Sequence, residues 1–286
     1  MQNFLLRLLL QLLPATQQFK LLKFLVGRPQ RKPAKANGFM ADAQQLHYGR
    51  LGDHTAWAKG EGPLVICVHG WGGAGGADMG ALGEHLVAAG FRVIAIDMTG
   101  HGASPGKHIG LHEFIDDVSQ FAASLTEPVY CWLGYSAGGL SVMAARAQGK
   151  IRAPKFICLA TPSQPFPPLM VIRKKLKVRG ALYQRFQDYV VEPFHCTWEE
   201  IPATLFQPLP GEELMVIHSR DDTFISHENG PLIAQHWPGA KVATVTGPKH
   251  AEVPSNSAVL DLVVDFVRTP APARSTTSAK TPESNH

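Results

Sequence analysis

The sequence carries one serine, Ser136, in the setting a nucleophile needs. Gly134-Tyr135-Ser136-Ala137-Gly138 is a G-x-S-x-G, preceded by the apolar run Val129 to Leu133 and followed by a helical pattern from Gly138 to Gln148. A sharp turn from strand to helix would present the hydroxyl, and the flanking glycines leave room where side chains would collide. The helix N-terminus aimed at the same spot favours negative charge. A serine hydroxyl attacks a carbonyl only when a base takes its proton, so a histidine and a group to orient it are required. Position selects among the 13 histidines: His250 in VTGPKHAEV follows the last β-like run and precedes the last helical one. Two carboxylates, Asp221 and Asp222 in HSRDDTFIS, follow the preceding β-like run and compete for the orienting role.

A tetrahedral oxyanion needs donors as well. The glycine-rich VICVHGWGGAGG, residues 65–76, ends a run expected to lie beside that of the serine. Its backbone can approach a substrate closely, so the N–H groups of Trp71 and Ala137 are the expected oxyanion donors. The loop lacks G-x-x-x-x-G-K-[ST] and a dinucleotide spacing, which disfavours nucleotide binding. HEFID and HENGP both fail as H-E-x-x-H, and no C-x-x-C occurs, so neither a metalloprotease nor a zinc site is expected. His69, His101 and Asp97 sit in or beside glycine turns and read as turn-holding groups. Cys67, Cys131 and Cys158 lie in apolar runs and read, like Cys196, as packing residues.

The elements that must position these groups follow from periodicity. Short β-rich runs at Leu64–Val68, Val93–Ile96, Val129–Leu133, Phe156–Leu159, Leu214–His218 and Val242–Val245 alternate with helical patterns, predicting a largely parallel α/β sheet. QQLHYGRLG and HTAWAKG predict an antiparallel hairpin at its edge. Val259, Leu262, Val263 and Phe266 mark a last helix starting near Pro254 to Asn256. The interval from Leu159 to Leu214 is too long for a crossover, so residues 162–210 are expected to form a helical cap. Its stretch MVIRKKLKVRGALYQRF joins apolar residues to six basic ones without an acid; a charge run of this kind is ordinarily a solvated face, with contact to anionic lipid or an acidic substrate as the alternative.

Five ordered motifs carry a resemblance: HGWGG, DMTGHGAS, GYSAGG, HSRDD and GPKHAE. The chain resembles an α/β-hydrolase-fold serine hydrolase of the capped esterase type, from about Gln44 to Arg268. The resemblance implies a mostly parallel eight-stranded sheet flanked by helices, Ser136 as nucleophile, His250 as base and Asp222, rather than Asp221, as the orienting acid. It also implies Trp71 and Ala137 as oxyanion donors and no cofactor. Tyr135 departs from the pattern, which more often has histidine before the nucleophile, and Ser219 stands where glycine is common.

Composition sets the outer bounds. Of 286 residues, 45% are hydrophobic and 17% charged, which suits a hydrolase domain over residues 43–268 with a large core. Residues 1–35 hold seven basic and no acidic side chains, leaving 20 basic and 23 acidic elsewhere, so a nucleic-acid surface is not expected. Residues 1–36 are rich in leucine but interrupted by charges and Pro14. They are too broken for a span and lack the order of a secretory signal, but they suit amphipathic helices on an anionic membrane face or against the protein itself. A cytoplasmic protein, peripheral on the inner membrane face, is therefore expected, with export second. Residues 269–286 have little to bury and are expected to be disordered. The activity expected is hydrolysis of a small-molecule carboxylic ester, with a medium or long acyl group favoured by the apolar cap. Acyl transfer, cofactor-free perhydrolysis and a silent membrane-bound scaffold stay open as alternatives.

Overall fold

The computed structural model describes residues 2–29 and 38–270. Arg31, Lys32 and Lys35 of the basic N-terminal segment, and residues 271–286 of the tail expected to be disordered, lie outside them.

Each apolar run forms a strand, lengthened in most cases by a residue or two of polar flank. The strands are β1 (Gln44–Tyr48), β2 (His54–Lys59), β3 (Leu64–Val68), β4 (Arg92–Ile96), β5 (Val129–Tyr135), β6 (Lys155–Leu159), β7 (Glu213–Ser219) and β8 (Lys241–Val245). They form one sheet in the order β1-β2-β4-β3-β5-β6-β7-β8. The β1–β2 hairpin is antiparallel and joins β4 antiparallel; every pair from β4 to β8 is parallel. The C-terminal ends of β3, β5, β7 and β8 therefore open on one edge of the sheet, where crossover folds of this kind place ligands.

Alternation along the strands divides the core into two layers. Ile66, Trp132, Phe156 and Val216 point to one face and are covered by α6 (Leu111–Ser124) and α7 (Ala137–Ala147). Cys67, Leu133, Ile157 and Ile217 point to the other, under α5 (Gly80–Ala88) and α12 (Ser257–Arg268). The last helix is capped by Asn256, whose side chain accepts from the N–H of Val259 at 3.3 Å. Short helices α3 (Gly38–Ala41), α4 (Gly75–Asp78) and α11 (Asn229–Ala234) fill in the periphery.

Between β6 and β7 run three helices, α8 (Phe166–Leu176), α9 (Gly180–Val191) and α10 (Ile201–Leu205). Ile172, Leu176, Val178 and Phe186 of this segment are buried, whereas all six of its basic residues from Arg173 to Arg185 are exposed. Two N-terminal helices, α1 (Gln2–Leu12) and α2 (Ala15–Val26), lie against them. Leu10 and Leu22 are buried there, and the rings of Phe19 and Tyr189 meet edge-on at 5.9 Å. Among the described residues no helix is long and apolar enough to cross a membrane.

The two buried cations Arg146 and Lys155 are each paired with a carboxylate. Arg146 meets Glu212 and also donates to the carbonyl of Gln207 at 2.7 Å, and Lys155 reaches Glu213 at 2.8 Å. Such pairs tie the end of α7 and the start of β6 to the strand that carries the acidic pair Asp221-Asp222, because breaking one would strand a buried charge.

Candidate active site

Ser136 stands at the turn from β5 to α7 with φ 53° and ψ −118°. A non-glycine residue holds such a conformation only where its surroundings impose it, at a cost of about 1–3 kcal/mol. The imposing contacts are tight. A Cβ added at Gly134 would lie 2.4 Å from the Cα of Gly139, and one at Gly138 would lie 2.4 Å from the carbonyl oxygens of Val68 and His69. The Ser136 N–H donates to the Leu159 carbonyl at 2.8 Å, tying the turn to the neighbouring strand.

Three of the side chains singled out in the sequence come together here from separate loops. His250 Nε2 lies 3.1 Å from Ser136 Oγ, and His250 Nδ1 lies 2.6 Å from Asp222 Oδ2. The other oxygen of Asp222 accepts from the N–H groups of Phe224 and Ile225, both at 2.8 Å. Burial of Asp222 pushes its pKa upward, but the hydrogen bond from His250 and those two N–H groups outweigh it and hold the carboxyl below its ordinary range. Asp222 is thus a fixed anion whose Nδ1 contact leaves Nε2 of the imidazole facing the serine.

Asp221 has a different task. Its Oδ2 accepts from the N–H of Gly247 at 2.6 Å, bracing the loop that carries His250. The two adjacent carboxylates therefore divide the work, one holding the imidazole and one its loop.

The glycine-rich loop after β3 is braced by histidines. His69 Nε2 accepts from the Met98 N–H at 3.1 Å, so its Nδ1–H donates to the Gly70 carbonyl at 2.7 Å. His101 does the same with the Gly72 N–H (2.9 Å) and the Thr99 carbonyl (2.8 Å). Burial lowers the pKa of each to about 4, so both stay neutral and keep these patterns near neutral pH. Asp97 accepts from Gly75 N–H, Ala103 N–H and Trp57 Nε1, linking the same loop to the TGHG turn. Trp71 stacks on Phe114 with ring centroids 5.7 Å apart, and Gly70 lets the loop approach Ser136, since a Cβ there would come within 3.1 Å of the serine Cβ. Trp71 and Ala137 follow the neighbouring strands β3 and β5, and both line the cavity that contains Ser136.

That cavity has a volume of about 380 Å³. Leu140, Pro168, Val171 and Phe224 give it an apolar wall, and Leu25 and Val26 of α2 complete it. Asp78 and Lys175 also line it. Asp78 is engaged with the loop, accepting from the Ala74 N–H at 2.7 Å. Among the described residues no group of three His, Cys, Asp or Glu side chains is arranged to hold a metal ion. Cys67, Cys131 and Cys158 are buried, and burial pushes the thiols of Cys67 and Cys158 up to about 12, far from thiolate chemistry.

Two aromatic residues complete the setting of the histidine. Tyr135 Oη donates to the His250 carbonyl at 2.8 Å, and its ring lies 5.2 Å from the imidazole at 34°. Phe224 lies 5.0 Å from the same imidazole. Burial, with the nearby charges of Asp222 and Asp78, raises the Tyr135 pKa well above its ordinary value, so the phenol remains a donor at any working pH. Tyr135 stood out in the sequence as a departure, but its partner is 115 residues away and carried no signal. Phe224, Asp78 and the two α2 residues in the pocket were not legible as site residues either.

Comparison with known proteins agrees with this architecture. The family profile described as alpha/beta hydrolase fold matches residues 63–201. The pimeloyl-[acyl-carrier protein] methyl ester esterase of Aliivibrio salmonicida is 30% identical over 142 residues, 49% of this chain and 51% of that protein. The chain thus spans about half the length of the curated relatives it matches. Among solved structures, an esterase of Pyrococcus furiosus superposes with a TM-score of 0.63 at 16% identity, covering 84% of this chain and 98% of the other. A monoacylglycerol lipase of Paleococcus ferrophilus gives 0.57 at 18% identity, covering 75% and 98%. At these identities the structural likeness speaks for the fold alone.

Proposed function

We propose that this chain, which has the α/β-hydrolase fold, is a serine hydrolase that cleaves a carboxylic ester with a medium-length or longer apolar acyl group. The observation that carries this is the line of contacts from Ser136 Oγ through His250 to Asp222, on a strained turn that lines an apolar cavity. A curated relative named as a methyl ester esterase supports the reaction class.

In this reading His250 Nε2 takes the proton of Ser136 as Oγ bonds to the ester carbonyl carbon. Asp222 stabilises the imidazolium that forms. The carbonyl oxygen becomes an oxyanion facing the N–H groups of Trp71 and Ala137, aided by the N-terminus of α7. Collapse expels the alcohol, which leaves with the proton from His250, and the acyl group stays on Ser136. Water then loses a proton to His250 as it attacks the acyl-enzyme, and collapse releases the acid while His250 returns that proton to Ser136 Oγ.

Leu25, Leu140, Val171 and Phe224 would hold the acyl chain, with burial of each methylene worth about 0.8 kcal/mol. A p-nitrophenyl ester series from acetate to laurate tests this. Here kcat/KM should climb with chain length until the cavity is filled and then level off; a maximum at acetate would refute the acyl assignment. Product analysis with added alcohol separates hydrolysis from acyl transfer, the expected product being the free acid.

A further inference from the structure

We infer that the α1–α2 hairpin, with the basic end of α8, is a docking surface for an anionic lipid bilayer, and that the same helices wall the substrate pocket so that ester is taken up from that bilayer. The hairpin has two unlike sides. Its inward residues are committed to the protein: Leu10 and Leu22 are buried, and Leu25 and Val26 line the pocket with Ser136. Its outward residues include Leu8 (46% exposed), Leu9 (45%), Leu12 (75%) and Phe24 (61%), large apolar side chains that a helix serving only as packing would not present to water.

Charge identifies the occupant. The residues 2–29 contain no carboxylate, and neither does the segment 162–187. Lys20 and Phe24 are exposed on α2 and Arg28 just past its end, and Arg173, Lys174, Lys175 and Lys177 are exposed at or just past the end of α8. Two connections hold these groups in one surface. Arg7 of α1 donates to the Lys175 carbonyl through Nε (3.0 Å) and Nη2 (2.9 Å), and the Arg185 guanidinium lies 4.4 Å from the centre of the Phe19 ring. Exposed leucines within a cationic field match a bilayer with anionic headgroups, where apolar side chains enter the acyl boundary and Lys and Arg meet phosphate. An acidic protein would answer the charge but leave Leu8, Leu9 and Leu12 without a purpose. Lys175 and Val171 of α8 line the pocket too, so the docked helices are also its wall. Docking itself does not depend on the chemistry at Ser136; uptake of substrate from the bilayer rests on the ester-hydrolase reading.

The test is co-sedimentation of the full chain with vesicles of phosphatidylcholine alone or with about one-third phosphatidylserine. At least tenfold stronger partition onto the anionic vesicles is expected. Leu8→Glu/Leu12→Glu and, separately, Arg173→Glu/Lys174→Glu should each lose at least tenfold, with turnover of a dissolved short-chain ester within twofold of the parent and an ester embedded in the vesicles hydrolysed more slowly. Turnover of the dissolved ester also reports that each variant is folded; if neither parent nor variant turns over any ester, circular dichroism serves instead, and the binding result stands while the ester-hydrolase reading falls. Four results would overturn docking: no sedimentation by the parent, equal binding to both compositions, full binding by either variant, or a dimer in solution that Leu8→Glu/Leu12→Glu dissociates. Loss on charge reversal with binding intact in the leucine variant would reassign the surface to an acidic macromolecule.

Discussion

Replacing Tyr135 by phenylalanine removes one oxygen and isolates the contribution of its hydrogen bond to the His250 carbonyl. The ring stays, so the pocket lining and the packing on His250 are retained; only the 2.8 Å bond to the His250 carbonyl disappears. A neutral hydrogen bond is worth about 1 kcal/mol net, with a range up to about 3 kcal/mol when a buried acceptor is left unpaired. If about 1 kcal/mol of that serves to hold the imidazole against Ser136, kcat falls about fivefold, since about 1.4 kcal/mol corresponds to tenfold. KM should stay within twofold, because the lost oxygen points at the protein backbone. The melting temperature should fall by about 2–4 °C per kcal/mol, as expected for a domain of this size. The assay is steady-state hydrolysis of p-nitrophenyl butyrate beside thermal unfolding, for the parent and Tyr135→Phe. An unchanged kcat with a raised KM would show that Tyr135 acts as pocket wall and not as a holder of His250, and unchanged kcat, KM and melting temperature together would refute the contact altogether.

Two further outcomes follow from packing and titration. Gly134→Ala puts a Cβ 2.4 Å from the Gly139 Cα, a backbone clash that should cost about 1–3 kcal/mol or more and abolish turnover; a fully active variant with a parental melting temperature would contradict the tight-turn account. Stability should also fall on mild acidification. Burial holds His69, His101 and His218 at about 4, below their ordinary 6.5, so between those values the unfolded chain binds three protons the native protein refuses. Burial raises Asp117 to about 6 and also raises Asp97, so these two take up protons first in the native state and offset part of the effect. The remaining one or two protons correspond to about 1–3 kcal/mol lost per pH unit as pH falls from about 6.5 toward 4. Urea unfolding at pH 7, 6 and 5 measures this, and a flat or rising stability on acidification would contradict it.

The sheet was legible because its strands are short β-rich runs between helical stretches, and alternation does not depend on distant residues. The order Ser136, acid, His250 was legible for the same reason: each group follows a recognisable run. The choice of Asp222 over Asp221 came from the family resemblance and not from the run itself, since both follow β7; the three-dimensional loop sends Asp222 to His250 Nδ1 and Asp221 to Gly247. Tyr135 could be noticed but not explained, because its partner comes from the far end of the chain. The leucine-rich N-terminus showed amphipathic character, yet periodicity does not say what a face will meet. The fold gives its two sides different neighbours, placing Leu22 in the core and Leu25 at the pocket while Leu12 stays in water.

The proposed reaction requires that Ser136 be a nucleophile activated by His250. Its most direct measurement is intact-mass analysis after exposure to a fluorophosphonate, with the label mapped by peptide sequencing, for the parent, Ser136→Ala and His250→Ala. The account predicts one phosphonyl group on the parent at Ser136, none on Ser136→Ala, and labelling slowed by orders of magnitude in His250→Ala. An unlabelled parent beside a labelled control hydrolase, or a parent and Ser136→Ala labelled alike, would contradict it.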